Sequence, residues 1–249
     1  MLSRMRTRSS AFEQQRAAPH RLGDRLRAQI SDFLLPQQCL VCGSFGASLH
    51  ESCLDALPAA DGTRCMRCWR PTRTTWCERC AEGGTDAPSF DGLRTPFRFE
   101  GHARHAILEA KFRGITSHLP VLARAAADAI PPEWRFDVVL GVPLAPTRQR
   151  KRGFNQASIL AREIARATGA GERPRLLTRV RATAAQATLN AEQRATNLVG
   201  AFAVRGVPPP GVLVVDDVTT TGSTLDVIAT VLKAAGAERV YALAVARED

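Results

Sequence analysis

Residues 213–224, LVVDDVTTTGST, place two adjacent carboxylates, Asp216 and Asp217, after an apolar run and just before a turn of hydroxyl residues around Gly222. Backbone N–H groups at a helix start, reinforced by Thr and Ser hydroxyls, form a phosphate site without any lysine. Carboxylates beside such a site do not favour the phosphate itself. They suit neutral donors attached to it, the vicinal hydroxyls of a ribose, or a magnesium ion bridging to a diphosphate. Gly222 is expected to leave room for the phosphate to reach the backbone. An apolar strand ending in acids also fits a Walker B strand, but none of the three lysines stands in a Gly-x4-Gly-Lys loop. No Gly-x-Gly-x2-Gly follows a strand either. A plain helix cap explains one of these hydroxyls and not four.

The second chemical signal is cysteine. All seven lie between positions 39 and 80, as Cys39-x2-Cys42, Cys53, Cys65-x2-Cys68 and Cys77-x2-Cys80. An odd number does not suit disulfides, and His50-x2-Cys53 supplies a fourth knuckle, which gives eight ligands for two tetrahedral sites. The first set is Cys39, Cys42, His50 and Cys53; the second is Cys65, Cys68, Cys77 and Cys80. An interleaved pairing, with Cys39 and Cys42 joined to Cys65 and Cys68, is also compatible with the spacing. So short a segment, poor in aliphatics, barely forms a core, which makes one or two structural zinc ions the expected means of holding it together.

Charge gives a broader hint. The chain of 249 residues carries a net charge of +10, and only Lys111, Lys151 and Lys233 among its 34 basic side chains are lysines. Arginine suits phosphate and polyanionic partners, while a GC-rich coding background produces the same composition. Residues 1–30 hold seven of the arginines against Glu13 and Asp24, which reads as a solvated basic tail. No apolar run approaches the roughly 20 residues of a membrane span. The basic start lacks the apolar stretch of an export signal, so the expected compartment is the cytoplasm.

The elements that must position these groups alternate between strand and helix from about residue 90. GLRTPFRFE (92–100) reads as a strand, followed by a helix with Ile107, Leu108 and Phe112 as its apolar stripe. FDVVLGVP (136–143) is a buried strand, and 156–169 a helix with Ile159, Leu160 and Ile164 inward. GVLVVDD, a helix over 224–235 and RVYALAVA follow. Such alternation requires parallel pairing through right-handed crossovers, with the ligand beyond the carboxyl ends of the strands. Asp216 and Asp217 are expected to leave their strand where the sheet stops. The loop after 136–143 carries Arg148, Arg150, Lys151 and Arg152.

VLVVDDVTTTGST resembles the ribose-phosphate signature of type I phosphoribosyltransferases. With the cysteine knuckles, LEAKFRG, VPLAPTRQRKRGFNQA and QATLNAEQRATNLVGAF, the chain resembles the ComF family of competence-associated proteins over residues 33–247. The resemblance implies a basic tail (1–32), a double zinc-ribbon module (33–85) and a phosphoribosyltransferase-like α/β domain (90–249), a parallel sheet with helices on both faces. By the same resemblance, Asp216 and Asp217 hold the ribose hydroxyls of 5-phosphoribosyl-1-diphosphate (PRPP), bound with magnesium. Thr220, Thr221, Gly222, Ser223 and Thr224 cradle its 5-phosphate, and Lys111, Arg148 and Arg152 lie on the diphosphate side. Gln186, Leu189, Arg194 and Asn197 match a flap over the site. His50 stands where the family has a cysteine, and Thr219 where an apolar residue is usual. The family implies a role in DNA uptake and natural transformation, with single-stranded DNA and uptake proteins as partners. Whether phosphoribosyl is transferred, and to what acceptor, no residue set here decides.

Overall fold

A computed structural model describes residues 37–81, 87–181 and 200–249. The basic tail and the flap-like residues Gln186, Leu189, Arg194 and Asn197 lie outside the described residues. Residues Gln38–Asp249 form one compact unit. Its centre is a parallel sheet of β1 (Gly92–Arg94), β2 (Phe97–Arg98), β3 (Val138–Gly141), β4 (Gly171–Glu172), β7 (Gly211–Thr219) and β8 (Arg239–Arg247). The order is β1-β8-β7-β3-β4, with β2 also pairing to β8. A separate antiparallel pair, β5 (Leu177–Arg179) and β6 (Phe202–Val204), joins β4 to β7 along the chain. The helices are α1 (Gly101–Leu108), α2 (Leu119–Asp128), α3 (Pro146–Arg152), α4 (Gln156–Thr168) and α5 (Ser223–Ala234).

Side chains alternate across the strands with the period of two that a pleated sheet imposes. Val138, Leu140, Val212, Val214, Val240 and Ala242 face one side, where Leu225, Ile228 and Leu232 of α5 cover them. Val139, Leu213, Val215, Leu243 and Val245 face the other, under α1, α2 and α4. A sheet buried on both faces needs apolar residues at consecutive positions, which is why Val212–Val215 are all 0% exposed. This is a doubly wound α/β architecture, a parallel sheet with helices on both faces, preceded by the cysteine-bearing segment.

Three details differ from the sequence reading. GLRTPFRFE is two short strands, β1 and β2, because Pro96 has no N–H to donate to a ladder. Ile107 is buried, but Phe112 is 76% exposed: the α-helix gives way at Glu109 to a π-type turn through Arg113, which rotates the later side chains out of the apolar stripe. The strand bearing the acids does not stop at them. It continues to Thr219, with Asp216 in register with Ala244 and Thr219 with Arg247 of β8.

Candidate ligand crevice and metal clusters

The pairing of β7 explains how its acids reach solvent. On the β3 side the register ends at Gly141↔Val215, whereas on the β8 side it runs four residues further. From β7 the chain crosses to β8, and from β3 it crosses to β4 on the opposite side, so the gap between β7 and β3 is a topological switch point. Asp216 and Asp217 stand at its lip. The chain at the end of β3 is led away by α3 and returned by Asn155, whose side-chain N–H donates to the Val142 carbonyl at 2.9 Å and whose oxygen caps α4 at Ala157 N, 3.1 Å. Gly141 permits this close return: a Cβ there would lie 2.6 Å from the Ala157 carbonyl oxygen.

Asp217 is 8% exposed and pairs with Lys111 at 3.0 Å. Lys111 lies in the π-type turn, so the local unwinding that exposes Phe112 also aims this lysine at the acids. Asp216 accepts the backbone N–H of Asp217 at 2.8 Å. Burial, and then the charge of Asp217, push its carboxyl up to about 7, against the pull of Lys111 and Arg179. Asp216 therefore holds its proton more readily than an ordinary carboxyl.

Behind the acids, Asp216 and Val218–Leu225 line a cavity of about 100 Å³. The Thr221 and Ser223 hydroxyls lie 2.6 Å apart at the start of α5. Gly222 precedes that helix with φ +80°, and a Cβ on it would meet the Phe90 ring at 3.5 Å, on the core side. The glycine is therefore demanded by its left-handed backbone and not by room for a ligand in the crevice, as the sequence alone had suggested. A second cavity of about 530 Å³ is lined by Lys111, Phe112, Arg113, Gly114, Arg148, Lys151, Arg152 and Phe154. Lys111, Arg148 and Arg152 thus share one space next to the acids, while Arg150 is exposed outside its lining. Arg152 is steered by Gln156 at 3.1 Å and lies over the Phe112 ring at 5.9 Å. The basic residues expected in a loop stand on the two-turn helix α3. Arg179, on β5, was not singled out from sequence; its charge is felt at Asp216 and it feels that of Arg148, a proximity that a three-residue strand does not announce.

Among the described residues, two groups of Cys and His side chains could hold a metal ion, and they are Cys39, Cys42, His50, Cys53 and Cys65, Cys68, Cys77, Cys80. Within each, all ligand atoms lie within 4.8 Å of one another, so the sequential pairing and not the interleaved one is brought together. Cys68 and Cys77 Sγ are 3.5 Å apart, near the roughly 3.8 Å edge of a tetrahedron built on zinc–sulfur bonds. Cys42 Sγ and His50 Nδ1 are also 3.5 Å apart. Burial opposes ionisation of Cys39 and Cys65, yet the surrounding backbone N–H groups outweigh it and bring both thiols down to about 6. Burial and the neighbouring thiols push Cys53 up to about 11. Cys80 is likewise raised, by burial and by the charge of Cys68. One thiolate forms easily and penalises the next, a conflict that a divalent cation resolves, so the donor sets fit zinc.

No protein-family model matches the chain. It is 42% identical over 106 residues to DNA utilization protein YhgH of Salmonella typhi, covering 42% of this chain and 46% of that protein. To Competence protein F of Haemophilus influenzae it is 36% identical over 115 residues, 45% of this chain and 50% of the relative. The chain thus spans about half the length of these curated relatives. Competence protein ComFC of Streptococcus pneumoniae is matched over its whole length and 84% of this chain, at 25% identity. Among solved structures, the allosteric regulatory enzyme of purine biosynthesis is similar over 52% of this chain and 25% of its own, at 24% identity and a TM-score of 0.35. The three relatives, taken with the paired cysteine clusters and the acid-threonine turn at the sheet's switch point, support the resemblance to the ComF family.

Proposed function

We propose that this protein binds PRPP with magnesium in the crevice between β3 and β7 and acts in DNA uptake and natural transformation. The observation that carries the reading is the acid pair at the switch point, followed within a few residues by the N-terminus of the twelve-residue helix α5. Asp216 and Asp217 would accept from the two ribose hydroxyls, which lets both remain ionised in spite of their crowding. Thr220, Thr221, Gly222, Ser223 and Thr224 would surround the 5-phosphate with backbone N–H groups and hydroxyls at the positive end of α5. Lys111, Arg148 and Arg152 would take the diphosphate, and magnesium would neutralise part of its charge. The names of the relatives support the competence role, with single-stranded DNA and DNA-uptake proteins as partners. Among the described residues no helix is long and apolar enough to cross a membrane, and we place the protein in the cytoplasm. The zinc-bearing segment 33–85, the domain 90–249 and the basic tail 1–32 are the working division of this proposal.

A second reading is favoured by the cationic cavity. Positive charge gathered on the diphosphate side would stabilise a departing diphosphate, so the same residues suit an active phosphoribosyltransferase whose acceptor is unassigned. Consumption of Mg-PRPP in the presence of a panel of nucleobases, measured as diphosphate release, separates transfer from binding alone.

Calorimetry with Mg-PRPP tests the principal reading. Replacing both acids by Ala removes two charge-assisted acceptors and should weaken binding roughly a hundredfold. The fold should survive at the cost of one ion pair, because Asp216 borders the small cavity and Asp217 gives up its pairing with Lys111. Equal binding by the wild type and the double variant, or no binding by the wild type, would overturn the reading.

A further inference from the structure

The knuckle Cys77–Cys80 carries an arginine between its ligands, and that arginine does not point into solvent. Arg79 donates to the Asp226 carboxylate at 3.0 Å and to the Thr221 carbonyl at 3.5 Å. Thr221 belongs to the turn that lines the small cavity behind the acids, and Asp226 to the first turn of α5. Asp226 is held at three further points: its N–H donates to the Gly222 carbonyl at 2.9 Å, its second carboxylate oxygen accepts from Ser89 N at 2.6 Å, and its carbonyl accepts from Thr230 at 3.0 Å. Arg79 and Asp226 are each about a quarter exposed, which shields their pairing from full solvent screening. The cysteines on either side of Arg79 are 7% and 8% exposed and share one core with Phe90, Leu93 and Leu225. Phe90 is the ring that backs Gly222. The hydroxyl turn is thus braced from behind by a peptide segment whose own shape depends on its four thiol ligands.

We infer that Arg79 couples the second cysteine cluster to the hydroxyl turn of α5: it is a positioning residue that holds Thr221 and Asp226 in the geometry that receives an anion. The inference rests, for its ligand, on the Mg-PRPP reading. A turn whose N–H groups converge before the ligand arrives binds better than one that must be ordered on binding. Coupling of this kind is reciprocal, so an anion in the turn must also strengthen metal retention by the knuckle.

Arg79→Met keeps an unbranched apolar stem and removes both donors; Arg79→Lys keeps the charge for Asp226 but not the two-point contact. Three measurements on the full chain decide the matter. Amide hydrogen exchange without ligand should quicken over residues 220–226 in Arg79→Met, less in Arg79→Lys, and leave the β7–β3 ladder unchanged. Mg-PRPP affinity should fall roughly tenfold in Arg79→Met, the effect of losing one hydrogen bond to a charged group, and recover in part in Arg79→Lys. Mg-PRPP should raise the zinc retained by the wild type against a competing chelator, and should not do so in Arg79→Met. Unchanged exchange over 220–226 overturns the coupling whether or not PRPP is the ligand. Wild-type protein that fails to bind Mg-PRPP while the exchange arm succeeds overturns the ligand assignment alone. Equal affinities in wild type and Arg79→Met, with binding intact, overturn the inference.

Discussion

The two cysteine clusters use the same two-residue knuckles and sit in different physical worlds. In the second, all four thiols are 0–8% exposed and pack into the face of the sheet that α5 covers. In the first, only Cys39 is buried, Cys42 is exposed, and His50 and Cys53 are intermediate; Cys39, Leu49 and Leu57 touch the opposite face of the sheet. The surroundings differ as much as the ligands. The second cluster is tied to strands by Leu93 N to the Arg67 carbonyl (2.7 Å), by the Trp69 indole to the Thr95 carbonyl (3.0 Å) and by Arg247 to the Cys68 carbonyl (3.0 Å). Arg94, 5% exposed, stacks on Trp69 at 4.4 Å and donates to the Met66 carbonyl at 2.9 Å. Metal in the second cluster would therefore complete a core, while metal in the first would close a loop. The same motif does unequal work according to what is packed around it.

The comparison is most exposed to failure at Cys65, which is 0% exposed. Cys65→Ser should release one ion per chain and leave three buried thiols without a common cation. Because the vacated cluster shares its packing with Phe90, Leu93 and Leu225, the loss should spread to the sheet. It should cost on the order of 5 kcal/mol, most of the stability of an ordinary domain, as read from urea unfolding and metal analysis together. An ion lost with an unchanged urea midpoint would show that the second cluster is no more part of the core than the first.

A smaller effect should follow from cutting an anchor and sparing the ligands. Asp249 pairs with Arg64 at 2.7 Å and with Arg247 at 2.8 Å, and those side chains are 5% and 4% exposed. Asp249→Ala would leave two buried guanidinium groups short of their counter-charge, at a cost of about 3 kcal/mol. Zinc content should stay at the wild-type value. If unfolding midpoints coincide, the clamp from Arg247 to the Cys68 carbonyl is not what seats the cluster, and the contrast drawn from it fails.

Much of this arrangement was legible in the residues. The apolar strands, the helices α4 and α5, the cysteine knuckles and the acid-threonine turn all announce themselves, because each rests on local spacing, whereas the sequential grouping of the knuckles shows only in the structure. What was hidden depends on partners far along the chain. That β7 runs on past its acids follows from pairing with β8 on one side only, which no window around Asp216 contains. Phe112 looked apolar and inward until the π-type turn at Glu109 broke the 3.6-residue period. The neighbour that a Cβ at Gly222 would meet, Phe90, lies over a hundred residues away. Nothing in the spacing singles out Arg79, because its partners, Thr221 and Asp226, are distant in sequence.

The smallest effect should come from His50→Ala. His50 Nδ1 lies 3.5 Å from Cys42 Sγ, on the solvent side of the first cluster, and flanks a 3-10 turn over Glu51–Ala56 in which no residue is buried. Removing the imidazole should lower metal content from two ions to one, because the three remaining thiols leave the fourth position to water and hold the ion more weakly. The consequence should remain local. Only Cys39, Leu49 and Leu57 of this segment are buried against the sheet, so opening it exposes little of the core beneath α1, α2 and α4. The global urea midpoint should move by less than about 1 kcal/mol, while amide exchange and proteolysis quicken over residues 38–57. His50→Cys should restore the second ion. If His50→Ala keeps both ions, the histidine is not a ligand; if its global stability falls as far as that of Cys65→Ser, the first cluster is as much part of the core as the second, and the difference in burial between them has no energetic meaning.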